Sequence, residues 1–477
     1  MDTARRIAKN TILLLVSQII VSILFFLSML YSARYLGATG FGILSTALAL
    51  TAILGLFSDL GLNTLTTREV SRNTSLADKY LPNMLLMKLV LAFVTFGSIA
   101  LVSNLFYSQE VLHVVYILSL STILDSFSST FYSIFQAYEK MEYQALGKAL
   151  GSFLLFAGTI ISIYYGLTVL AFAYVYFITS LIILVYTSII CVQRFFLLPK
   201  IEVDLKFWKT IIMKALPLSL VLIFGVVYFR IDMVLLSIIK GNAATGIYSA
   251  AYRLMDFMTF VPVVFTTSIL PVMSKFYLSS KDSLKISYKL SFKYMVILGL
   301  PIAVGITILA KDIILLIYTA DFEQSIFSLQ ILIWTIPVLF LTYLLSTVIT
   351  SINKQNVLCK VMFLSMLANI VLNLTLIPLF SYLGSSLVTL ISELIVFVLC
   401  FYYVSKFVCK IEIQNLILKP AVASVVMGLF LVYVHINLFL TILIAFCIYL
   451  VVLIILKTFS KEELVLFKNV LGKSNDK

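Results

Sequence analysis

The sequence predicts an all-α integral membrane protein with fourteen transmembrane helices, two six-helix lobes related by a parallel repeat plus two extra C-terminal helices. Three observations carry this. The 477 residues are 62% hydrophobic and 12% charged, with a mean hydropathy of +1.12. A soluble domain holds about 45–50% apolar and about 25% charged residues. The apolar residues gather in fourteen runs, each long enough for the ~20 residues that cross a bilayer. Basic residues fill alternate gaps between the runs, the pattern of positive-inside topology. A large soluble enzyme is excluded, and so is a disordered or collagenous chain. The net charge of +13 is no nucleic-acid footprint, because no soluble domain gathers it.

In chain order, spans 1 to 7 are Ile12–Tyr31, Ile43–Leu62, Pro82–Val102, Val111–Phe135, Leu146–Tyr165, Val169–Ile190 and Ile211–Ile239. Spans 8 to 14 are Ala244–Val272, Phe292–Leu309, Ile326–Ser351, Val357–Phe380, Tyr382–Val404, Leu416–Val434 and Leu438–Leu456. The first run is too long for a signal-peptide core and is read as an anchor. Asp312–Ala320 is expected to form a short interfacial helix before span 10.

Loop charge sets the orientation. One set of gaps holds Arg5, Arg6 and Lys9; Arg68, Arg72 and Lys79; Lys140 and Lys148; Arg194, Lys200, Lys206 and Lys209. The same set continues with Lys275, Lys281, Lys285, Lys289 and Lys293; Lys354 and Lys360; Lys406, Lys410 and Lys419; and Lys457, Lys461, Lys468, Lys473 and Lys477. The intervening gaps hold only Arg34, Lys240 and Lys311. Both termini are therefore expected in the cytoplasm, on a multi-pass protein of the cytoplasmic (plasma) membrane.

The chain also repeats itself. Gly37-Ala38-Thr39-Gly40-Phe41-Gly42-Ile43-Leu44-Ser45 matches Gly241-Asn242-Ala243-Ala244-Thr245-Gly246-Ile247-Tyr248-Ser249 at four of nine positions, at an offset of 204. Both stretches join an outgoing span to a returning one. An offset of six spans preserves orientation, so the repeat is parallel. Residues 1–205 are then the N-lobe, 206–410 the C-lobe, and 411–477 the last two spans with a cytoplasmic tail.

Several chemistries find no residues. The five cysteines, Cys191, Cys359, Cys400, Cys409 and Cys447, show no paired spacing, and His113 and His435 stand alone. They make neither a zinc site nor a catalytic histidine grouping, and no catalytic residue is assigned. No glycine-lysine phosphate loop is present, so ATP does not drive this chain by itself.

The run Arg34-Tyr35-Leu36-Gly37, then Phe41-Gly42, Asp59-Leu60-Gly61-Leu62 and Arg68-Glu69, resembles the opening signature of Wzx-type polysaccharide (lipid-linked oligosaccharide) flippases. These belong to the multidrug/oligosaccharidyl-lipid/polysaccharide (MOP) exporter superfamily. The resemblance implies a flippase, not an enzyme, that translocates a polyprenyl-pyrophosphate-linked oligosaccharide for surface polysaccharide or glycan assembly, by alternating access through a cationic inter-lobe cavity. It implies as partners the polyprenyl-linked glycan, membrane lipids and other glycan-assembly proteins, and no nucleic acid. It also implies that spans 13 and 14 form a groove for the lipid tail. Two alternatives stay open: a MATE-like multidrug or cation antiporter, and a membrane glycan polymerase or ligase. The short outer loops weigh against the last.

Charges inside spans are costly and mark pathways or cavities. The cations are Lys88, Lys214, Arg230 and Arg253, the candidate substrate-binding residues. Counting 1.5 Å per residue puts Arg230, Asp232, Arg253 and Asp256 near one depth. One reading pairs Arg230 with Asp256 and Arg253 with Asp232 as a structural lock. The other has an arginine hold the carrier's pyrophosphate, which a guanidinium fork suits. Lys88 is expected to pair with Asp125 across spans 3 and 4. No bound cofactor is expected; sodium or proton coupling stays open, beside a reading in which Asn369 and Asn373 only hydrogen-bond across helices. Lipid II flippases, relatives in the superfamily, hold sodium between spans 7, 11 and 12. By that resemblance a sodium site falls at Asp232, Asn369, Asn373 and Thr389, while Glu393 on span 12 is the candidate for proton coupling.

Overall fold

The structure is a computed structural model that describes residues 2–195, 204–434 and 437–459; for 2–15, 217 and 218 it describes the backbone alone. Lys200, His435, Lys461, Lys468, Lys473 and Lys477 lie outside the described residues. The described residues are helical throughout, with short turns and no strand among them. Twelve helical segments among the described residues are long and apolar enough to cross a membrane. Two of them are double length: Val16–Ser58 has 43 residues and Gln355–Phe407 has 53. At 1.5 Å per residue these would run about 65 and 80 Å, far beyond the ~30 Å of a hydrocarbon core. Each is broken at one residue of non-helical backbone, Gly37 (φ 66°, ψ −178°) and Ser381 (φ 54°, ψ −132°). The fourteen crossings read from the sequence follow.

Two expected boundaries change. Span 2 does not run unbroken to Leu62. Its α-helix stops at Leu54, a 3₁₀ turn covers Gly55–Ser58, and a separate helix occupies Leu62–Arg72. Leu60 and Gly61 take left-handed backbone (φ 45° and 81°), which no α-helix can continue through. The expected interfacial helix over Asp312–Ala320 is also absent. Span 9 simply extends as Lys281–Ile317, and only a 3₁₀ turn follows at Ala320–Phe322.

Packing divides the chain into two compact units. The larger holds Met1–Phe257, Ile317–Ser325 and Cys359–Ser392. Inside it the sequence repeat becomes a reciprocal contact. Gly37 and Gly241 stand at equivalent positions and share a backbone (φ 66° and 85°, ψ near 180°) open essentially only to glycine. Five residues on, a Cβ at Gly42 would overlap the carbonyl oxygen of Asn242, and a Cβ at Gly246 would overlap that of Ala38. The two hairpin turns thus touch backbone to backbone, each glycine admitting the other repeat. The segment Ile317–Ser325 covers this glycine-rich end. Phe322 is fully buried edge-on to Phe41, Tyr318 donates to Ala250 O (3.1 Å), and Ser325 to Ile247 O (2.7 Å). At the opposite, lysine-rich end, Leu62, Leu65, Met84, Met87, Ile134 and Phe135 form one apolar core.

The smaller unit holds Met258–Leu316, Ile326–Leu358 and Glu393–Lys477. Spans 13 and 14 pack on span 9 here through Ile297, Ala423, Met427, Leu431, Ala445 and Leu453. The Tyr449 hydroxyl pins the contact by donating to Ile297 O at 2.7 Å. A cavity of about 840 Å³ opens beside it. Its walls include Leu309, Leu316, Leu431 and Phe439, with Asp312 and Asn437 supplying polar groups.

Candidate functional site

Spans 7, 8, 11 and 12 bring one carboxylate into a cage of neutral polar groups, all in the larger unit. Asp232 is 3% exposed. Its Oδ1 accepts from Asn373 Nδ2 at 2.6 Å, and its Oδ2 accepts from Thr389 Oγ1 at 2.9 Å and Tyr248 OH at 3.0 Å. Asn373 Nδ2 also reaches Asn369 Oδ1 at 3.0 Å, and Asn369 Nδ2 donates to Ser392 Oγ at 3.3 Å. The four residues expected at the ion site are therefore together. Asn369 and Asn373, four apart, share a helix face as expected.

Tyr248 is an addition that sequence reasoning missed. The signal was present: Asp232 precedes the Gly241 turn by nine residues and Tyr248 follows it by seven, so a hairpin sets them at nearly one level.

The cage suits a monovalent cation by its donor set. Hard cations take oxygen ligands, and the cage offers the Asp232 carboxylate, Thr389 Oγ1 and two amide oxygens. Asn373 Oδ1 is buried and has no hydrogen-bond partner. A half-turn of that amide exchanges its nitrogen for the unused oxygen beside Asp232. Among the described residues no group of three His, Cys, Asp or Glu is placed to hold a metal ion.

The arginines assemble differently from the expected tetrad. Arg230 Nη2 lies 3.9 Å and Arg253 Nη1 3.7 Å from the same Asp256 Oδ2. Arg230 meets Asp256 as expected, but Arg253 does not pair with Asp232. Residues two apart on a helix point to nearly opposite sides, so Asp232 turns to spans 11 and 12 while Arg230 turns to span 8. Arg253 and Asp256, three apart, share a face. Two guanidinium groups thus converge on one carboxylate. Arg253 also sits 5.6 Å from the Phe25 ring centroid. Arg230 Nη1 and Arg253 Nε are buried without a hydrogen-bond partner.

Lys88 pairs with Asp59, not Asp125. It is 1% exposed, and its Nζ reaches Asp59 Oδ1 (2.9 Å), Asn63 Oδ1 (3.0 Å) and the Ser126 carbonyl (2.7 Å). The break in span 2 explains the exchange, because it turns Asp59 and Asn63 toward span 3. Asp125 instead lies beside Ser180 of span 6. All three ammonium protons of Lys88 are engaged internally. Lys214 is exposed on span 7 near Glu69, apart from the arginines. Glu393 is 3% exposed and falls in the smaller unit.

Comparison with known proteins agrees with this architecture. The inward closed conformation of the lipid II flippase MurJ superposes with a TM-score of 0.76 at 19% identity, covering 92% of this chain and 98% of that one. The inward-facing conformation of a multidrug resistance MATE family transporter of the MOP superfamily gives 0.67 at 16% identity, covering 80% and 93%. The capsular polysaccharide biosynthesis protein CapF of Staphylococcus aureus is 23% identical over 415 residues, covering 83% of this chain and 99% of the relative. The MatE family matches residues 217–375. The polysaccharide biosynthesis protein family matches residues 7–277, more than half of the sequence. The chain therefore belongs to the polysaccharide biosynthesis protein family.

Proposed function

We propose that this protein is a flippase that carries a polyprenyl-pyrophosphate-linked oligosaccharide across the cytoplasmic membrane for surface polysaccharide assembly, with both termini in the cytoplasm. The observation that carries the reading is the arginine pair. Arg230 and Arg253 share one close carboxylate and retain buried donors without partners. Uncommitted guanidinium donors at mid-membrane are what a pyrophosphate needs, and charge-assisted bonds there are the strong kind. The apolar cavity beside spans 9, 13 and 14 offers the lipid tail a place in the bilayer.

The 1–205 and 206–410 lobes are the moving parts in this reading. The glycine contact between equivalent turns is a natural closure between them, because it holds by close approach alone. Asp232, Asn369, Asn373 and Thr389 would hold sodium, which supplies charge compensation at Asp232 and couples its gradient to transport; Glu393 is the alternative site, for a proton. A second reading, MATE-like cation export, has the match over residues 217–375 behind it. The surplus positive charge at Arg230 and Arg253 opposes a cationic substrate.

The test is binding of polyprenyl pyrophosphate to purified protein in nanodiscs. Wild type should bind it, and Arg253→Ala should bind it about tenfold to a hundredfold more weakly, as loss of a charged hydrogen bond requires. Preferred binding of a lipophilic cation, unaffected by that variant, supports the antiporter instead.

A further inference from the structure

We infer that Asp125 reads the first sugar of the cargo, accepting hydroxyl protons from a neutral or amino sugar and rejecting an acidic one; this rests on the flippase reading above. Asp125 lies in the middle of the helix Gln109–Ala137 yet is exposed. A carboxylate at that depth is costly against lipid and is expected on a water-filled path. Its neighbours fit a path. Ser129 and Gln136 lie four and eleven residues further along the same helix face. Both are half-buried and bonded to the Leu62–Arg72 helix: Asn63 Nδ2 donates to Ser129 Oγ (2.7 Å), and Thr67 Oγ1 donates to Gln136 Oε1 (3.4 Å). Above Asp125, Ser121 and Ser180 are bonded at 2.8 Å. The result is a row of hydroxyls and amides running from mid-membrane to the lysine-rich end.

Charge singles out one member of that row. The adjacent Lys88 is neutralised by Asp59, and among the described residues Asp125 makes no ion pair. A carboxylate accepts from sugar hydroxyls or an ammonium, and it repels a uronic acid's own carboxylate.

Position ties the row to the arginines. Ser180, beside Asp125, is one helical turn from Tyr176 on span 6. Tyr176 stands close enough to Arg253 to feel its charge, and its hydroxyl is buried without a hydrogen-bond partner. Tyr107 OH bonds Ser237 Oγ at 3.0 Å, so spans 4 and 8 begin at one end of the larger unit. From there Arg253 is about 17 Å along its helix and Asp125 about 24 Å along its own. This difference in depth of about 7 Å matches one sugar ring beyond a phosphate held at Arg253.

The experiment compares three ligands on the full chain in nanodiscs: polyprenyl pyrophosphate, the same carrier bearing one N-acetylhexosamine, and the same carrier bearing one uronic acid. Wild type should favour the hexosamine carrier over the uronic acid carrier. Asp125→Asn should bind the bare carrier unchanged, the hexosamine carrier about tenfold more weakly, and the uronic acid carrier more tightly than wild type. Asp125→Ser, a smaller neutral side chain, repeats the comparison should the amide lower the melting temperature. Equal changes for all three carriers, or none, overturn the inference while bare-carrier binding leaves the flippase reading standing. Failure of wild type to bind any carrier overturns both.

Discussion

Replacing Lys88 by Met tests the internal logic of the larger unit most sharply. The ammonium makes three close contacts, to Asp59, Asn63 and the Ser126 carbonyl, and joins span 3 to the break in span 2 and to span 4. Each charged hydrogen bond is worth roughly 1.5–3 kcal/mol, a gross loss of about 5–9 kcal/mol for three. Two features reduce it. Asp59 is 31% exposed and regains water, and the Ser126 carbonyl still accepts from Ser129 Oγ at 2.7 Å. The net cost should be about 3–5 kcal/mol, the usual penalty for breaking a buried pair. Asp59→Asn should cost less, and the double variant less than the sum. Equilibrium unfolding in mixed micelles would measure this cycle, with a coupling of about 1–3 kcal/mol expected. Additive single effects, or a Lys88→Met protein as stable as wild type, would show that Lys88 does not secure the break.

Three further outcomes follow from particular contacts. Gly42→Ala or Gly246→Ala should drive the two glycine-rich turns apart, because each new methyl would meet a carbonyl oxygen; both variants should melt below wild type, and an unchanged melting temperature would contradict the contact. Ser381→Gly should stabilise by about 1 kcal/mol, since φ 54° with ψ −132° strains a side-chain-bearing residue; a lower melting temperature would contradict it. At the start of the Leu205–Lys240 helix, Asp204 accepts from Phe207 N (2.9 Å) and pairs with Lys79 (3.0 Å). The backbone hydrogen bond first, and then Lys79, hold its carboxyl below the usual range. A depressed carboxylate stabilises above its unfolded pKa of about 4 and loses that contribution as pH falls through the folded value. Asp204→Asn should therefore lower stability at pH 7 and make no difference near pH 2, as melting curves across that range would show.

Much of this was legible in the sequence, for physical reasons. Span count follows from hydropathy because lipid leaves a backbone no alternative to helix. The repeat around Gly37 and Gly241 was legible because only glycine takes that backbone, and the two turns indeed share it. The ion-cage residues came from resemblance joined to depth counting, and they meet in space. The break at Gly55–Gly61 escaped, since its apolar residues keep hydropathy high and a window of twenty averages over two left-handed residues. The second difference follows from it: a span 2 drawn straight leaves Asp125 as the partner for Lys88, and the break supplies Asp59 instead. The misassigned Arg253–Asp232 pair has another origin. Depth was counted, but the 200° between positions two apart was not.

The central claim is that Arg230 and Arg253 carry a pyrophosphate-linked glycan across the membrane. Its most direct test is translocation of a polyprenyl-pyrophosphate-linked fluorescent oligosaccharide in vesicles holding purified protein, followed by quenching of the outward-facing label. Wild type should equilibrate the label between leaflets, and Arg253→Ala should slow it at least tenfold while remaining folded and inserted. Movement by the variant at the wild-type rate, or no movement by wild type under any sodium or proton gradient, would contradict the account.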